Sequence, residues 1–403
     1  MSGFTKGRDR SFHFGSKEHK VVGMISGTSY DGIDVALCDF SEKDGVIELK
    51  VLDFKSFPYE EKLHAEIASS MPPRSLDMER VCRLDTFIGQ AFADAAESII
   101  KSEQVDLISS HGQTLFHWVE DNHALGTLQL GEPTWIAERT GVPVLSNIRS
   151  RDVAAGGHGA PLVSLMDQMM FGESPVPVGA LNLGGISNIT VTGKGLRPIA
   201  YDIGPANGLM DAAIQEHSRG TLKFDQDAHL SRSGKVNEEI LKELLKEPYY
   251  AAKPPKSTGK ELFHLPYIKK YFGEVSSWAI QDVLRTLLEL TVETVAIEVE
   301  RFKLKNLYVH GGGSANPLMM ERLKERVPNC LVEPMSVLGL DPRQKEAATF
   351  ALIGYLSWYG LPGAIASCTG ARASKILGSL TPGAKPLQLP TPKPQGSYQV
   401  RII

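Results

Sequence analysis

From residue 21 onward, the chain alternates short apolar runs with longer amphipathic stretches, a pattern typical of strands followed by helices. Residues 21–25 are an apolar run, residues 26–32 are small and polar, and residues 33–37 alternate apolar and polar side chains. A strand, a glycine-containing turn and a second strand in this order predict a β-hairpin. Residues 46–57 predict a third strand.

The rest of the first half continues as alternating helices and strands. Apolar spacings of three and four predict helices over residues 58–69, 76–102 and 133–140. Short apolar runs predict strands over residues 105–109 and 142–147. This alternation predicts an α/β fold with a partly parallel sheet.

The second half opens as the first does. Residues 178–191 read as a strand, a turn at Gly184 and Gly185, and a strand, and a further strand is predicted over residues 197–202. A later strand over residues 306–310 runs into three glycines and a helix. Two similar openings about one lobe apart support the hypothesis of two pseudo-repeated halves facing a cleft, although their sequence identity is weak.

Prolines at positions 175 and 177 indicate a boundary between these halves. We therefore divide the chain into a mobile N-terminal extension, an N-terminal lobe, a C-terminal lobe and a C-terminal tail, over residues 1–20, 21–176, 177–365 and 366–403.

Composition narrows the class of protein. The chain has 403 residues, 42% of them apolar and 22% charged, which is enough for two globular domains. A net charge of −4 argues against a protein that coats nucleic acid. Four cysteines lie far apart without a C-x-x-C pair, which favours a reducing compartment and no structural zinc. No apolar run reaches the ~20 residues of a membrane helix, and the first twenty residues lack the apolar stretch of a signal peptide, so we expect a cytoplasmic protein.

The first predicted turn carries candidate chemistry. It combines glycines and three hydroxyl side chains with two nearby carboxylates, Asp31 and Asp34. Backbone N–H groups at glycines and hydroxyls can cradle phosphates, and a carboxylate can hold Mg²⁺ directly or through water. An ordinary polar hairpin would have the same pattern. Since no P-loop, no G-x-G-x-x-G after a strand and no protein-kinase motif is present, a nucleotide would need another scaffold.

Polar residues follow predicted strand ends, where ligands gather in α/β proteins. His111, Gln113 and Thr114 could bind sugar hydroxyls, or the histidine could simply bond to backbone. Arg149 and Asp152 could grip an anionic or polar substrate, or could form a surface ion pair of little energetic value.

Two acidic residues are candidates for acid–base chemistry. Asp202 ends a predicted strand before a Gly-Pro turn, where a partly desolvated carboxylate could act as a general base or could cap the next helix. Glu346 begins an apolar helix, a position that also suits the helix dipole. The glycines 311–313 could seat a flat adenosine, or could form only a tight crossover.

Taken together, nine motifs resemble one family. They occur in this order: GMISGTSYDGIDVAL, SHGQT, LGEPTWIAERTGVPV, RDVAAGGHGAPLV, LNLGGISNIT, YDIGPANGLMD, PPKSTGKELF, HGGGSANPLM and DPRQKEAATFA. The set resembles the anhydro-N-acetylmuramic acid kinase family, part of the sugar kinase/heat-shock chaperone/actin superfamily, over residues 21–383.

The resemblance implies two actin-like (ribonuclease H-like) lobes around an ATP cleft, in a homodimer. It implies that ATP is contacted by a first phosphate loop, a second phosphate loop and an adenosine seat: Gly27, Thr28, Ser29, Tyr30, Asp31, Gly32, Ile33 and Asp34; Gly184, Gly185 and Asn188; Gly311, Gly312 and Gly313. Mg²⁺ would lie at Asp31 or Asp34. Substrate contacts would come from His111, Gln113, Thr114, Arg149 and Asp152.

The family reaction implied by the resemblance opens a 1,6-anhydro bridge with water and phosphorylates the released 6-oxygen. Asp202 matches the family's general base and Glu346 a supporting acidic residue. The product would be N-acetylmuramic acid 6-phosphate, an intermediate in peptidoglycan recycling. A levoglucosan kinase-like enzyme is an alternative, and an actin- or chaperone-like nucleotide switch is an alternative of another class.

The chain departs from the expected motifs at four places. Asn147 stands where an aspartate is expected, His158 replaces a glutamine, and Ile203 replaces a threonine. Residues 225–234 lack a glycine after their second aspartate. Asn147 and His158 lie near the expected sugar site, so they bear on substrate identity more than on reaction type.

Overall fold

The computed structural model describes residues 18–27, 30–72, 74–101, 103–121, 123–254, 256–259 and 261–403. Residues 1–17 of the predicted extension lie outside this range, as do Thr28 and Ser29 of the first turn. The strands are β1 His19–Ser26, β2 Gly32–Lys43, β3 Val46–Pro58, β4 Leu107–Glu120, β5 His123–Leu130, β6 Val144–Ser146, β7 Val178–Leu183, β8 Ile186–Thr192, β9 Ile199–Pro205, β10 Asn306–His310, β11 Leu331–Pro334, β12 Ser379–Thr381 and β13 Gln399–Ile402.

The described part of the chain has thirteen α-helices, and the three with predicted bounds are among them, with ends shifted by at most three residues. The thirteen are α1 Glu61–Ala68, α2 Met78–Ile100, α3 Pro133–Thr140, α4 Ser150–Ala154, α5 Ser164–Phe171, α6 Asn207–His217, α7 Glu238–Leu244, α8 Pro248–Ala251, α9 Leu265–Phe272, α10 Ile280–Phe302, α11 Pro317–Arg326, α12 Lys345–Trp358 and α13 Ala366–Thr369. Within the described part of the chain, none of these helices is both long and apolar enough to cross a bilayer.

Two sheets share one topology. The first has the order β12-β6-β4-β1-β2-β3-β13, with β5 also paired to β4, and the second has the order β11-β10-β7-β8-β9. In each, three consecutive strands form an antiparallel meander, and two later strands add in parallel beside its first strand. This is the ribonuclease H-like arrangement, present twice. The predicted α/β fold with two lobes is confirmed, and the repeat is far clearer in strand order than in sequence.

Side-chain alternation along the strands separates three hydrophobic cores. Ile33 and Val35 of β2 face the outer side of the first sheet, where they pack with α2. Ala36 and Cys38 face the other side, in a core formed with α5 and α12 that also contains Val178 of β7. The third core joins the second sheet to α6, α10 and α11. Because one core contacts both sheets, α5 and α12 lie between them.

The structure corrects the predicted lobe boundaries. Helix α12, which we assigned to the C-terminal lobe, packs on β1, β2 and β4 of the first sheet. The predicted C-terminal tail supplies two strands of that sheet, β12 beside β6 and β13 beside β3. The first strand begins at His19, so the last two residues of the predicted extension also belong to the sheet.

Helix α12 approaches β1 at backbone distance. A Cβ added to Gly23 would lie 2.0 Å from the carbonyl oxygen of Ala347 and 2.4 Å from the amide nitrogen of Ala351. Gly354 is similarly close to β4, because its Cβ would lie 2.7 Å from that of Ser109. Two glycines, one on each element, therefore let the helix rest directly on the sheet.

Candidate nucleotide and sugar site

Two buried side chains, those of Ser26 and Gln113, form hydrogen bonds with the backbone of the first hairpin turn. The Ser26 hydroxyl lies 2.6 Å from both the Gly32 carbonyl oxygen and Oε1 of Gln113. Gln113 Nε2 donates to the carbonyl oxygens of Gly27 and Thr114, each at 3.1 Å. Because Gln113 has no exposed surface, it supports the turn instead of presenting a free amide to the cleft.

The described residues of this turn differ in what they can offer a phosphate. Tyr30 has a left-handed backbone (φ 49°), and its N–H donates to the Gly27 carbonyl oxygen at 3.1 Å. The side chain of Ile33 is buried in the outer core, which leaves only its backbone for a ligand. Gly32 packs against β3, since a Cβ there would lie 2.5 Å from the Phe57 carbonyl oxygen. Thr28 and Ser29 stay predictions, because they lie outside the described residues.

The SHGQT motif is part of a strand and not a loop after one, since β4 runs on to Glu120. His111 is buried, and its pKa is lowered well below the ordinary value by burial and by the charge of Arg149. Arg149 Nε donates to His111 Nε2 at 2.6 Å, and Nδ1 of the histidine lies 2.9 Å from the Gly112 carbonyl oxygen. This network assigns His111 as the neutral tautomer protonated at Nδ1.

Arg149 is a partly buried cation beside His111. Its Nη1 also donates to the Gly159 carbonyl oxygen at 2.6 Å. Burial lowers its pKa to about 10, while the charges of Glu346 and Asp152 oppose the shift, so the guanidinium is protonated at neutral pH. The two hydrogen bonds use two of its five N–H donors, and the others can bind a ligand.

Asp152 closes the small-residue loop. Its Oδ2 accepts from the Gly159 N–H at 2.8 Å, and its Oδ1 accepts from the Thr369 hydroxyl at 2.8 Å. The side chain has no exposed surface. It therefore ties the loop after α4 to α13, at the start of the segment we predicted as a tail, and acts on a ligand only through that loop.

The second turn and the triglycine come together at the edge of the second sheet. Strands β7 and β10 are parallel neighbours, with Asn182 opposite His310, so their carboxyl ends meet. A Cβ on Gly311 would lie 2.2 Å from Oδ1 of Asn182, and one on Gly313 would lie 2.6 Å from the Cβ of Leu183. The glycines at these two positions are thus required by close packing on the second turn.

Helix α6 begins against the same turn. The N–H groups of Ala206 and Gly208 donate to the Gly185 carbonyl oxygen at 3.0 Å, and that of Asn207 donates to the Gly184 carbonyl oxygen at 3.0 Å. Asn207 Nδ2 also donates to the Leu183 carbonyl oxygen at 3.1 Å. This amide bridges the second turn to the triglycine, a contact that sequence reasoning missed because only tertiary packing creates it.

A buried cation joins α12 to the triglycine. Nζ of Lys345 lies 2.8 Å from Nε2 of His310 and 2.5 Å from Oδ1 of Asp167 on α5. All three side chains are at most 4% exposed. Burial, followed by the charge of Lys345, holds the pKa of His310 well below its ordinary value, so the histidine is neutral.

Glu346, the next residue, connects this cluster to the first hairpin. Burial and the charge of Asp34 raise its pKa, while Arg149 and Lys345 oppose the shift. The pKa of Asp34 is itself raised by burial and by the charge of Asp31, and lowered by a hydrogen bond from Ser56. The first hairpin, Arg149, the start of α12 and the triglycine therefore surround one region.

Asp202 lies on the other lobe, inside β9 and not at its end. Its Oδ2 accepts from the Ser257 hydroxyl at 2.9 Å and from the Thr258 N–H at 3.0 Å. Burial raises its pKa, these two donors lower it, and the charge of Glu261 raises it further. Helix α6 begins after Ala206 without a side-chain cap, so the alternative reading of Asp202 as a helix cap is wrong.

Comparison with known proteins places this geometry in a family. The profile described as anhydro-N-acetylmuramic acid kinase matches residues 19–383. The chain belongs to that family. Proteins named anhydro-N-acetylmuramic acid kinase from Streptomyces coelicolor and Rhodococcus erythropolis are 46% identical over 387 residues and 45% identical over 393 residues, each covering 95% of this chain and 99% of the relative. A ROK family glucokinase from Streptomyces griseus, solved with glucose and AMPPNP, aligns over 83% of this chain and 99% of its own at 13% identity and a TM-score of 0.38.

The structure gives the backbone conformation, burial or hydrogen bonding of the four positions that depart from the anhydro-N-acetylmuramic acid kinase motifs. Asn147 has a left-handed backbone (φ 52°), which asparagine tolerates well, and Ile203 is buried in the third core. Ala228, where a glycine is expected, also has a positive φ (57°). The His158 N–H donates to the Thr369 carbonyl oxygen at 2.8 Å, so this residue helps attach α13 to the loop after α4.

Proposed function

We propose that this protein is an ATP-dependent kinase that hydrolytically opens 1,6-anhydro-N-acetylmuramic acid and phosphorylates its 6-oxygen. The products are N-acetylmuramic acid 6-phosphate and ADP. Membership of the family supports this reaction. Two relatives named anhydro-N-acetylmuramic acid kinase, which are 46% and 45% identical to this chain over 99% of their own length, support it as well.

The observation that carries the proposal is a series of interactions that links the first hairpin to the triglycine. Asp34 on the first hairpin acts electrostatically on Glu346, the adjacent Lys345 contacts His310, and the triglycine follows His310 directly. The triglycine in turn packs on the second turn. An ATP whose phosphates lie between the hairpins and whose adenosine lies on the triglycine fits this arrangement.

Asp202 is the proposed general base. Its partly desolvated carboxylate takes a proton from the water that attacks the anomeric carbon. The bond from that carbon to the bridge oxygen breaks, and its electron pair stays on the oxygen. This 6-oxygen attacks the γ-phosphorus of ATP, and ADP leaves with the electrons of the broken phosphoanhydride bond. Because one bound sugar supplies both the electrophilic carbon and the nucleophilic oxygen, positioning provides much of the catalysis.

Glu346 is the proposed supporting acidic residue. Its partly buried position and the charge of Asp34 raise its pKa, which favours the protonated carboxyl that can donate a hydrogen bond to substrate. It belongs to the first lobe through α12, whereas Asp202 belongs to the second, so the two carboxylates approach the substrate from different lobes.

The donor set fits a magnesium ion held mainly by the nucleotide. Burial raises the pKa of Asp34, the hydrogen bond from Ser56 opposes that shift, and the charge of Asp31 adds to it, so a nearby cation would offset the repulsion between the two carboxylates. Among the described residues, His, Cys, Asp and Glu side chains form no cluster of three or more that could hold a metal. This agrees with Mg²⁺, which is usually bound through one or two carboxylates together with substrate phosphates. When bound there, Mg²⁺ would offset the charge on the transferred phosphoryl group.

The sugar is proposed to lie against His111, Thr114 and Arg149. Arg149 keeps N–H donors beyond those bonded to His111 and Gly159. A protonated guanidinium suits the lactyl carboxylate of anhydro-N-acetylmuramic acid, a group that levoglucosan lacks. Gln113 and Asp152 are proposed to act by holding the loops that carry these contacts.

The test is ADP release by the purified protein with Mg²⁺ and ATP, in the presence of anhydro-N-acetylmuramic acid or of levoglucosan. We expect turnover with the first sugar, little with the second, and none without sugar. Sugar-independent turnover would contradict the kinase proposal and favour a nucleotide switch. Asp202→Asn should abolish turnover while ATP affinity stays within a few fold, with circular dichroism as the control for folding.

We also propose a cytoplasmic homodimer, as the resemblance to the family implies. Light scattering on the eluting protein should give twice the 44.0 kDa chain mass. A single-chain mass at micromolar concentration would contradict the dimer.

A further inference from the structure

The segment 256–259 is bonded to Asp202 at three points. The Asp202 N–H donates to the Lys256 carbonyl oxygen at 3.2 Å, and Oδ2 of the carboxylate accepts from Ser257 Oγ at 2.9 Å and from the Thr258 N–H at 3.0 Å. The Tyr249 hydroxyl donates to the Asp202 carbonyl oxygen at 2.8 Å. The carboxylate and the N–H of Asp202 are thus bonded to a segment more than fifty positions away in the sequence, and its carbonyl oxygen is bonded to Tyr249.

Lys256 anchors this segment. Its Nζ donates to the carbonyl oxygens of Tyr249 and Tyr250, at 3.0 and 3.2 Å. It also lies 4.6 Å from the ring centroid of Tyr249 and 5.9 Å from that of Tyr201. Two carbonyls and two aromatic faces hold the ammonium group, so the residue before Ser257 cannot move independently of α8.

The two carboxylate oxygens of Asp202 differ in how many hydrogen bonds they accept. Within the part of the chain that the structure describes, both donors to the side chain of Asp202 go to Oδ2. A general base needs one oxygen with an available lone pair aimed at the water, and a fixed second oxygen prevents the carboxylate from rotating.

We propose that Lys256, Ser257 and Thr258 form a positioning clamp for the general base, in which Oδ2 of Asp202 is held so that Oδ1 takes the proton. The proposal rests on the proposed function, because it concerns the same base. Lys256 anchors the clamp, and Ser257 and Thr258 supply the donors. All three are positioning residues, since they act on substrate only through Asp202.

The clamp also sets the pH range in which the base is ionised. A hydrogen bond to the ionised carboxylate favours that form, so removing a donor raises the pKa of Asp202. The other groups that face Asp202 are Glu261, whose charge raises the same pKa, and the Tyr249 hydroxyl, which bonds to the backbone carbonyl. Neither is altered by a change at Ser257.

The experiment compares pH profiles of kcat/KM for wild type, Ser257→Ala and Ser257→Thr, with Ser233→Ala as a matched control. The Ser233 hydroxyl donates to the Leu230 carbonyl oxygen away from the site. We expect the acidic limb of Ser257→Ala to move to higher pH by roughly half to one unit, with KM for ATP within twofold. Ser257→Thr keeps the donor and should match wild type, as should Ser233→Ala. An even loss of activity at every pH, or an unshifted limb, would overturn the proposal.

A second measurement does not depend on turnover. Hydrogen exchange read by mass spectrometry reports on the Thr258 amide, whose acceptor is lost in Asp202→Ala. We expect at least tenfold faster exchange over residues 257–259 in Asp202→Ala and in Lys256→Met. Unchanged exchange would overturn the clamp even if the enzyme is active. If exchange responds but wild type shows no sugar-dependent ADP release, then the clamp exists and the proposed reaction is wrong.

Discussion

Gly23→Ala is expected to disrupt the contact between β1 and α12. The added methyl carbon would lie 2.0 Å from the Ala347 carbonyl oxygen and 2.4 Å from the Ala351 amide nitrogen, whereas ordinary contacts begin at 3.4 Å. These two atoms belong to one i to i+4 pair of the helix, so the methyl group would enter a helical hydrogen bond. The helix must therefore retreat by more than an ångström or lose that bond.

The cost follows from what the methyl group meets. Overpacking a core usually costs about 1–3 kcal/mol, and we expect about 3 kcal/mol or more here because the obstacle is backbone and not a flexible side chain. Glu346 lies in the first turn of α12, so the retreat also displaces this proposed catalytic side chain. A misplacement of about 1 Å can cost on the order of 100-fold in rate.

Urea unfolding followed by circular dichroism measures the first effect, and sugar-dependent ADP release by the folded variant measures the second. Gly396→Ala is the matched control, because a Cβ at that glycine meets nothing within 4 Å. Equal urea midpoints for the two variants would refute the packing argument. A destabilised Gly23→Ala with wild-type kcat would refute the link between the helix position and Glu346.

Two further substitutions test charges that are fully or partly buried. Lys345→Met should lower the free energy of unfolding by about 3–5 kcal/mol, because it leaves Asp167 buried without its cation. Adding Asp167→Leu should recover most of that loss in urea unfolding, and no recovery would mean that the ion pair is not its cause. Burial raises the pKa of Asp211 on α6 to about 6, above the 3.8 of the unfolded chain, so the folded state binds the extra proton and this group's contribution falls as pH rises from about 4 to 6. Asp211→Asn should remove that dependence and raise the free energy of unfolding by about 1–2 kcal/mol at pH 7, after allowance for solvent screening. A difference in urea midpoint between Asp211→Asn and wild type that stays constant from pH 4 to 7 would contradict this prediction.

Local sequence patterns predicted most elements of both lobes. The β1–β2 and β7–β8 hairpins and helices α1, α2 and α3 all depend on periodicity and turn residues within a few positions. From its place after a strand, the triglycine was either a seat for adenosine or a tight crossover, and the structure adds the packing on Asn182 and Leu183 that requires glycine there.

The sequence indicated which residues belong to the candidate site more reliably than it indicated what each of them does. Asp202 and Glu346 stood out as acids beside turns or helix starts, and the structure gives both a raised pKa. Gln113 and Asp152 were predicted as substrate contacts, yet both are fully buried and hold loops. A sequence shows that a polar residue follows a strand, but its exposure depends on what packs over it.

The sequence by itself determined the α/β class, the two strand–turn–strand openings and the set of candidate acids, because each is encoded by neighbouring residues. Only the tertiary structure decided that α12 rests on the first sheet, that residues 379–381 and 399–402 complete that sheet, and that Ser257 and Thr258 hold Asp202. These contacts join positions far apart in the chain. They form where apolar faces and unpaired strand edges meet, and no local periodicity specifies which distant partner covers them.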